Sequence, residues 1–197
     1  MNANEAKELL SGELKRYFSK VSQVISDIPV DEVNRVLDVL LRARNEGRCV
    51  YVFGNGGSAT AASHLACDLG KGTIVEGERR LKVISLTDNI SLITAWANDT
   101  SYQNVFAQQL ANLVLPGDIV IGISSSGNSP NVLAGIEEAS KRGAMTIGLT
   151  GVCGKLREVV DLCISTGGDT TGEIEDAHMV IIHAITAAIV HASSRTE

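Results

Sequence analysis

No cluster of lysine or arginine occurs anywhere in this chain, which carries 17 basic against 23 acidic residues for a formal net charge of −6. A net-negative protein without a basic patch is a poor general nucleic-acid binder, so any anionic ligand must be held by local donors. The four cysteines, Cys49, Cys67, Cys153 and Cys163, form no C-x-x-C pair. Reduced thiols of a cytosolic protein account for them. The opening M-N-A-N-E-A-K-E-L-L lacks the apolar core of a signal peptide. No run approaches the roughly 18 consecutive apolar residues of a membrane span. Internal repeats and low-complexity segments are absent too. The expectation is a cytoplasmic protein with neither a nucleic-acid nor a membrane partner.

What is there suits one α/β domain. The chain has 197 residues, 44% of them hydrophobic, and a mean hydropathy of +0.13, enough for a sizeable core. Residues 4–46 carry helical periodicity, with Leu10, Leu14, Phe18 and Val21 three and four apart. Pro29 breaks this stretch into two helices, and Asp31 is placed to cap the second, which ends at Glu46-Gly47. This helical pair, residues 1–47, precedes the α/β core of residues 48–197 and has no strand to connect, so a contact between subunits is expected of it. Beyond it, strands at 49–53, 81–86, 119–123, 145–149 and 162–164 alternate with helices at 59–69, 89–97, 102–113, 130–142, 155–159 and 173–192. The strand at 81–86 reads as buried, and 70–80 as a loop. Such alternation predicts a parallel sheet covered by helices on both faces, with ligands at the carboxyl ends of the strands.

Two strand-to-helix turns carry the chemistry. The first follows the apolar run 49–53: Gly54-Asn55-Gly56-Gly57-Ser58. Ser58 is expected as N-cap of the next helix. A glycine turn at a helix N-terminus offers free N–H groups and the positive end of the dipole to an anion. Bare glycine turns of this kind also occur without ligands. Gly54-x-Gly56-x-x-Ala59 matches the looser dinucleotide fingerprint, but the acidic residue expected about 20 positions on at the end of a second strand is not cleanly there, and Asp88, which ends the next strand, lies too far along. One turn into that helix, His64 and Asp68 are four apart and share a face, which points to acid–base or metal chemistry behind the turn.

The second turn, Ser124-Ser125-Ser126-Gly127-Asn128-Ser129-Pro130, sets four hydroxyls between a strand and a helix start. Hydroxyls and helix N–H groups without a cation suit a phosphomonoester, with a serine-rich surface turn as the plain alternative. On the last helix, Glu175 and His183 are eight apart, about 80° of rotation and two turns of height. Both reach one site if the helix runs alongside it. His178 points about 140° away from His183, and a histidine on an Ile/Ala-rich helix is more often a core or interface residue.

Together, Gly54 to Ser58, His64-x-x-x-Asp68, Asn98-Asp99, Ser124 to Ser129 and Glu175-x7-His183 resemble the phosphoheptose isomerases of the sugar isomerase (SIS) fold over nearly the whole chain. The resemblance implies a three-layer sandwich around a five-stranded parallel sheet, a homotetramer with sites between subunits, and a zinc ion. It implies Asn55, Gly56, Gly57, Ser58, Asp68, Asn98, Asp99 and Glu175 toward the sugar. Ser124, Ser125, Ser126 and Ser129 would hold the phosphate. His64, Asp68, Glu175 and His183 would be metal ligands, and Asp68 and His183 the acid–base pair. The chain departs from the family pattern at Asp68 (usually glutamate), Glu175 (usually glutamine) and Gly172 (often acidic). A second carboxylate at 175 would strengthen a zinc site made with two histidines. The implied activity is conversion of sedoheptulose 7-phosphate to D-glycero-D-manno-heptose 7-phosphate through an enediol. The alternatives are isomerisation of another phosphosugar and a non-catalytic SIS protein that senses phosphosugars or binds a replication initiator.

Overall fold

In the computed structural model, which describes residues 2–193, the central strands are buried on both faces because their apolar side chains alternate between two cores. Val50 and Val52 of β1 (Cys49–Gly54) enter one cluster, and Tyr51 and Phe53 the other. The strands that follow are β2 (Lys82–Ser85), β3 (Ile119–Ser124), β4 (Met145–Gly151) and β5 (Leu162–Thr166). They make one all-parallel sheet of order β2-β1-β3-β4-β5.

The helices are α1 (Ala3–Ser26), α2 (Val30–Glu46), α3 (Gly57–Cys67), α4 (Ile90–Asp99), α5 (Ala107–Leu113), α6 (Pro130–Lys141), α7 (Leu156–Val159) and α8 (Thr171–Ser193). Residues of α2, α3 and α8 share the first core with the sheet, including Leu40, Leu65 and Ile181. Residues of α5, α6 and α7 fill the second, where Phe53 and Phe106 stack with centroids 4.7 Å apart. This is the expected three-layer α/β sandwich with its N-terminal helical pair.

Several local expectations are corrected. Pro29, not Asp31, holds the cap position of α2, and Asp31 lies in the first turn, where it still meets the helix dipole. Gly47 ends α2 in the left-handed conformation, φ 71°, as expected. Strand β2 is an edge strand with Ile84 42% exposed, not a buried one. The stretch expected as a helix over 102–113 splits into a 3₁₀ turn, Tyr102–Asn104, and α5. Asp68–Gly72 forms a π-helical turn where a loop was expected from residue 70.

Helix α8 is more apolar than its longest uninterrupted apolar run suggests. Its 171–192 stretch, mean hydropathy 1.3, is long and apolar enough to cross a membrane by composition, yet 33% of it is buried inside this fold. Ile181, Ile182, Ile185 and Ile189 face the sheet.

Helix α1 lies along α8, where Tyr17 donates to Asp176 at 2.9 Å and Lys20 pairs with Asp169 at 2.8 Å. Its apolar stripe is left uncovered: Leu10, Leu14 and Phe18 are 63%, 58% and 64% exposed.

Candidate active site

The strand order reverses between β1 and β3: from β1 the chain moves outward to β2, and from β3 outward to β5. That switch point opens a crevice at the carboxyl ends of the two strands. Both turns singled out in the sequence flank it, and they line a cleft of about 180 Å³ through Asn55, Ser58, Ser124, Ser125, Ser126 and Ser129. Thr171 and Glu175 of α8 close its third side.

The first turn is tighter than expected. Gly56, φ 55°, takes the cap position and α3 starts at Gly57, so Ser58 lies buried inside the first turn and caps nothing. A Cβ on Gly57 would collide with the Glu175 carboxylate, which is seated against the start of α3. Negative charge there meets the positive end of that helix.

Helix α8 is set in place by its own cap. Glu173, wholly buried, accepts from the backbone N–H groups of Asp169 at 2.7 Å and Thr170 at 3.2 Å, while its own N–H donates to Thr170 Oγ1 at 3.3 Å.

The serine turn is held from behind by β4. Gly127 N–H closes onto Ser124 O at 2.9 Å, Thr150 Oγ1 donates to Ser124 O at 2.8 Å, and Gly151 N–H donates to Ser125 O at 3.1 Å. Ser129 occupies the cap position of α6 without capping it; its hydroxyl lies 3.1 Å from that of Ser124. The Ser125 hydroxyl is buried with no partner among the described residues. A buried orphan hydroxyl in a ring of donors is the mark of a site awaiting an acceptor. Among the described residues, no lysine or arginine lines the cleft.

Two turns further along α3 and α8 lies the second half of the site. His64 Nε2 is 2.9 Å from His183 Nε2 and 3.3 Å from Asp68 Oδ2, and the ligand atoms of all three lie within 4.8 Å of one another. Two imidazoles and a carboxylate are a donor set for zinc. Tetrahedral coordination at ordinary bond lengths separates ligand atoms by about 3.3 Å, which the His64–Asp68 spacing already matches and the His64–His183 spacing approaches. Three protein ligands also leave a fourth position open, as catalytic zinc sites do.

The structure brings together three of the four ligands expected. Glu175 stays outside the group, because eight residues along α8 correspond to about 12 Å of rise, and its carboxylate lines the cleft instead. The argument that its charge strengthens a zinc site therefore does not hold for this arrangement. Asn98 and Asp99 are not brought in either: they end α4, exposed and bonded to each other at 2.9 Å. His178 lies off the site, 1% exposed. Three residues of the site carry no expectation from the sequence: Thr171, which lines the cleft, and Tyr102 and Asn131, which bond to the cleft residue Asn55. Asn131 follows the serine-proline start of α6 directly, the one signal that marks it.

The SIS domain model matches residues 16–151. The chain is 39% identical over 176 residues to the probable phosphoheptose isomerase of Thermoplasma acidophilum, covering 89% of this chain and 96% of that one. It is 38% identical to the phosphoheptose isomerase of Geotalea daltonii, covering 84% and 86% of the two chains. The chain belongs to the phosphoheptose isomerase family of SIS-domain proteins. Its backbone is correspondingly similar to the solved phosphoheptose isomerase of Neisseria gonorrhoeae, with a TM-score of 0.84, 28% identity, and coverage of 93% of this chain and 98% of that one. As a phosphoheptose isomerase relative it is an aldose–ketose isomerase, an enzyme that acts on a phosphosugar, and the cleft and the His64-Asp68-His183 group are the features on which its chemistry can be argued.

Proposed function

We propose that this enzyme interconverts sedoheptulose 7-phosphate and D-glycero-D-manno-heptose 7-phosphate through an enediol. The observation that carries the reading is a serine cradle between β3 and α6, without a cation among the described residues, whose cleft also takes in the starts of α3 and α8, paired with a titratable cluster about two helical turns further along those two helices. The serine turn takes the phosphate, as a ring of neutral donors beside the start of α6. Asn55, Gly56, Gly57, Ser58 and Glu175 face the sugar chain. An open-chain sugar phosphate anchored there lays its carbonyl end toward His64, Asp68 and His183.

Isomerisation moves one proton from C1 of the ketose to C2 and one from O1 to O2. Asp68 is assigned the carbon-bound proton, since its carboxylate is 24% exposed and free to reach substrate. His183, also open to solvent, is assigned the oxygen-bound proton. The metal site belongs to the same proposal, with zinc held by His64 Nε2, Asp68 and His183 Nε2. A bound zinc ion supplies Lewis-acid polarisation of the carbonyl oxygen. A nitrogen that binds a cation cannot also carry a proton, so the two roles of His183 are alternatives. Turnover that survives chelation assigns it the proton; turnover that is lost on chelation and regained with zinc assigns it the metal.

The assembly proposed is a cytoplasmic homotetramer. The support is an uncovered apolar stripe on α1 and an apolar groove of about 220 Å³ between α2 and α8 that includes Ala184, next to His183. A neighbouring subunit over that face would bury a site that one chain leaves open, and would be a source of further sugar contacts in place of the outlying Asn98 and Asp99.

The experiment is ¹H NMR of sedoheptulose 7-phosphate with the enzyme in D₂O. Aldose product with deuterium on carbon is expected. Neither product nor exchange, for this or any other ketose or aldose phosphate supplied, would overturn the enzyme reading; exchange with a different phosphosugar alone would reassign the substrate.

A further inference from the structure

Asn55 lines the cleft, yet most of its side-chain amide is already engaged. Its Nδ2 donates to Asn131 Oδ1 at 2.8 Å, and its Oδ1 accepts from Asn131 Nδ2 at 2.8 Å and from the Tyr102 hydroxyl at 3.0 Å. The two amides thus face each other head to tail. An amide oxygen and nitrogen are near-isosteric, so which way Asn55 points must be settled by its surroundings. Here the settlement starts from a backbone group, whose identity is fixed: Val132 N–H donates to Asn131 Oδ1 at 3.0 Å. That sets the Asn131 oxygen, which draws the Asn55 nitrogen and leaves the Asn131 nitrogen for the Asn55 oxygen. Asn131 is 2% exposed and cannot rearrange through water, while Tyr102, 56% exposed, occupies the remaining lone pair from the rim. The one part of the Asn55 side-chain amide without a partner among the described residues is its second N–H.

We infer that Asn131 and Tyr102 are positioning residues that fix the Asn55 amide so that it meets the bound sugar as a hydrogen-bond donor, toward a carbonyl or hydroxyl oxygen and never toward a hydroxyl hydrogen. This rests on the isomerase function proposed above. The clamp also ties the two sides of the switch point together. Asn55 belongs to the turn after β1, Asn131 to the helix after the serine turn, and Tyr102 to the segment that follows Asn98 and Asp99. An enzyme whose phosphate and sugar contacts sit on separate turns gains from holding their separation fixed.

The test is a double-mutant cycle on kcat/KM for sedoheptulose 7-phosphate. Asn55→Ala, Asn131→Ala and Tyr102→Phe are each expected to lower kcat/KM, the first two by about tenfold, the scale of one oriented hydrogen bond. On the Asn55→Ala background, Asn131→Ala and Tyr102→Phe should cost nothing further, because what they positioned is gone. Losses that multiply on that background mark a structural role and overturn the inference. Tyr102→Phe removes only an exposed hydroxyl, so it keeps the test open should Asn131→Ala fail to fold. Hydrogen exchange of the Asn55 side-chain NH₂ gives a reading that needs no turnover. One slow and one fast proton are expected in the wild type, and two fast protons in Asn131→Ala. Two fast protons in the wild type overturn the clamp. If the wild type shows this protection but turns over no phosphosugar, the clamp stands and the isomerase function falls.

Discussion

His64 and His183 are 119 positions apart in the chain, and their Nε2 atoms are 2.9 Å apart in the fold. The rings meet edge to face, with centroids 4.9 Å apart and planes at 73°, and the Asp68 carboxylate lies 3.3 Å from His64 Nε2. Helices α3 and α8 lie side by side on one face of the sheet, which is what lets the two histidines meet. Two nitrogens and a carboxylate converging on one point share their lone pairs most favourably around a cation.

Zinc retention follows from that convergence. Protein purified without chelator is expected to hold about one zinc per chain by elemental analysis. His64→Ala and His183→Ala should reduce this to background while leaving the helical circular dichroism intact. Wild-type protein that holds no metal and does not take up added zinc would remove the ligand assignment.

Proton transfer at carbon is the step assigned to Asp68. Asp68→Asn should lower kcat by about 10²- to 10⁴-fold, the usual worth of a positioned acid or base, with KM little changed. Deuterium wash-in from D₂O should fall in parallel. A variant that exchanges deuterium at the wild-type rate would show that another group is the base.

The serine turn is expected to act through binding. Ser126→Ala removes a donor that serves ground state and transition state alike, so KM should rise by about five- to tenfold while kcat holds. Gly127→Ala is a different test in the same turn. At φ 65°, with a new Cβ only 2.7 Å from Cys153 O, the substitution is strained, and thermal unfolding should show a loss of about 1–3 kcal/mol.

Acid lability has a named source in His178. Burial lowers its pKa to about 4, and the Thr150 backbone beside it offsets only part of that effect. Neither ring nitrogen has a well-formed hydrogen bond among the described residues. The unfolded chain takes up this proton near pH 6.5, whereas the folded chain resists it until about pH 4. Stability contributed by the neutral ring is therefore whole above pH 6.5 and lost as the pH falls from there toward 4, a change of about 3 kcal/mol. His178→Leu should flatten this part of the stability profile measured by denaturant unfolding; an unchanged slope would acquit His178.

Assembly is expected to depend on the α1 stripe. Phe18 is 64% exposed in the single chain, and an uncovered patch with Leu10 and Leu14 marks an interaction surface. Phe18→Asp should shift the particle seen by light scattering to a smaller size and reduce turnover, with helical content retained. Wild-type protein that runs as a monomer would end the tetramer proposal.

Much of this was legible from local pattern. Mostly apolar stretches of three to six residues between turn signals announced the five strands, and the alternation with helices announced a parallel sheet. Pro29 and Gly47 marked helix ends through restrictions that act within one or two residues. The pairing of His64 with Asp68 was readable from helical spacing alone. Where the local reading slipped, a non-local or unusually tight geometry was responsible. Gly56 adopts a positive φ that starts α3 two residues early, and Lys82–Ser85 reads like a core strand although it stands at the sheet edge.

The sequence by itself determined the elements, the two donor-rich turns and the helix faces that carry histidine and carboxylate, because backbone restriction and side-chain period operate over a few residues. Only the tertiary structure decided that the turns after β1 and β3 flank a single switch point, since strand order depends on which strands pair across the sheet. It also decided that His183 joins His64 and Asp68 while Glu175 sits against Gly57: one helix carries both residues, and its rise of about 12 Å between them sends them to opposite ends of the site.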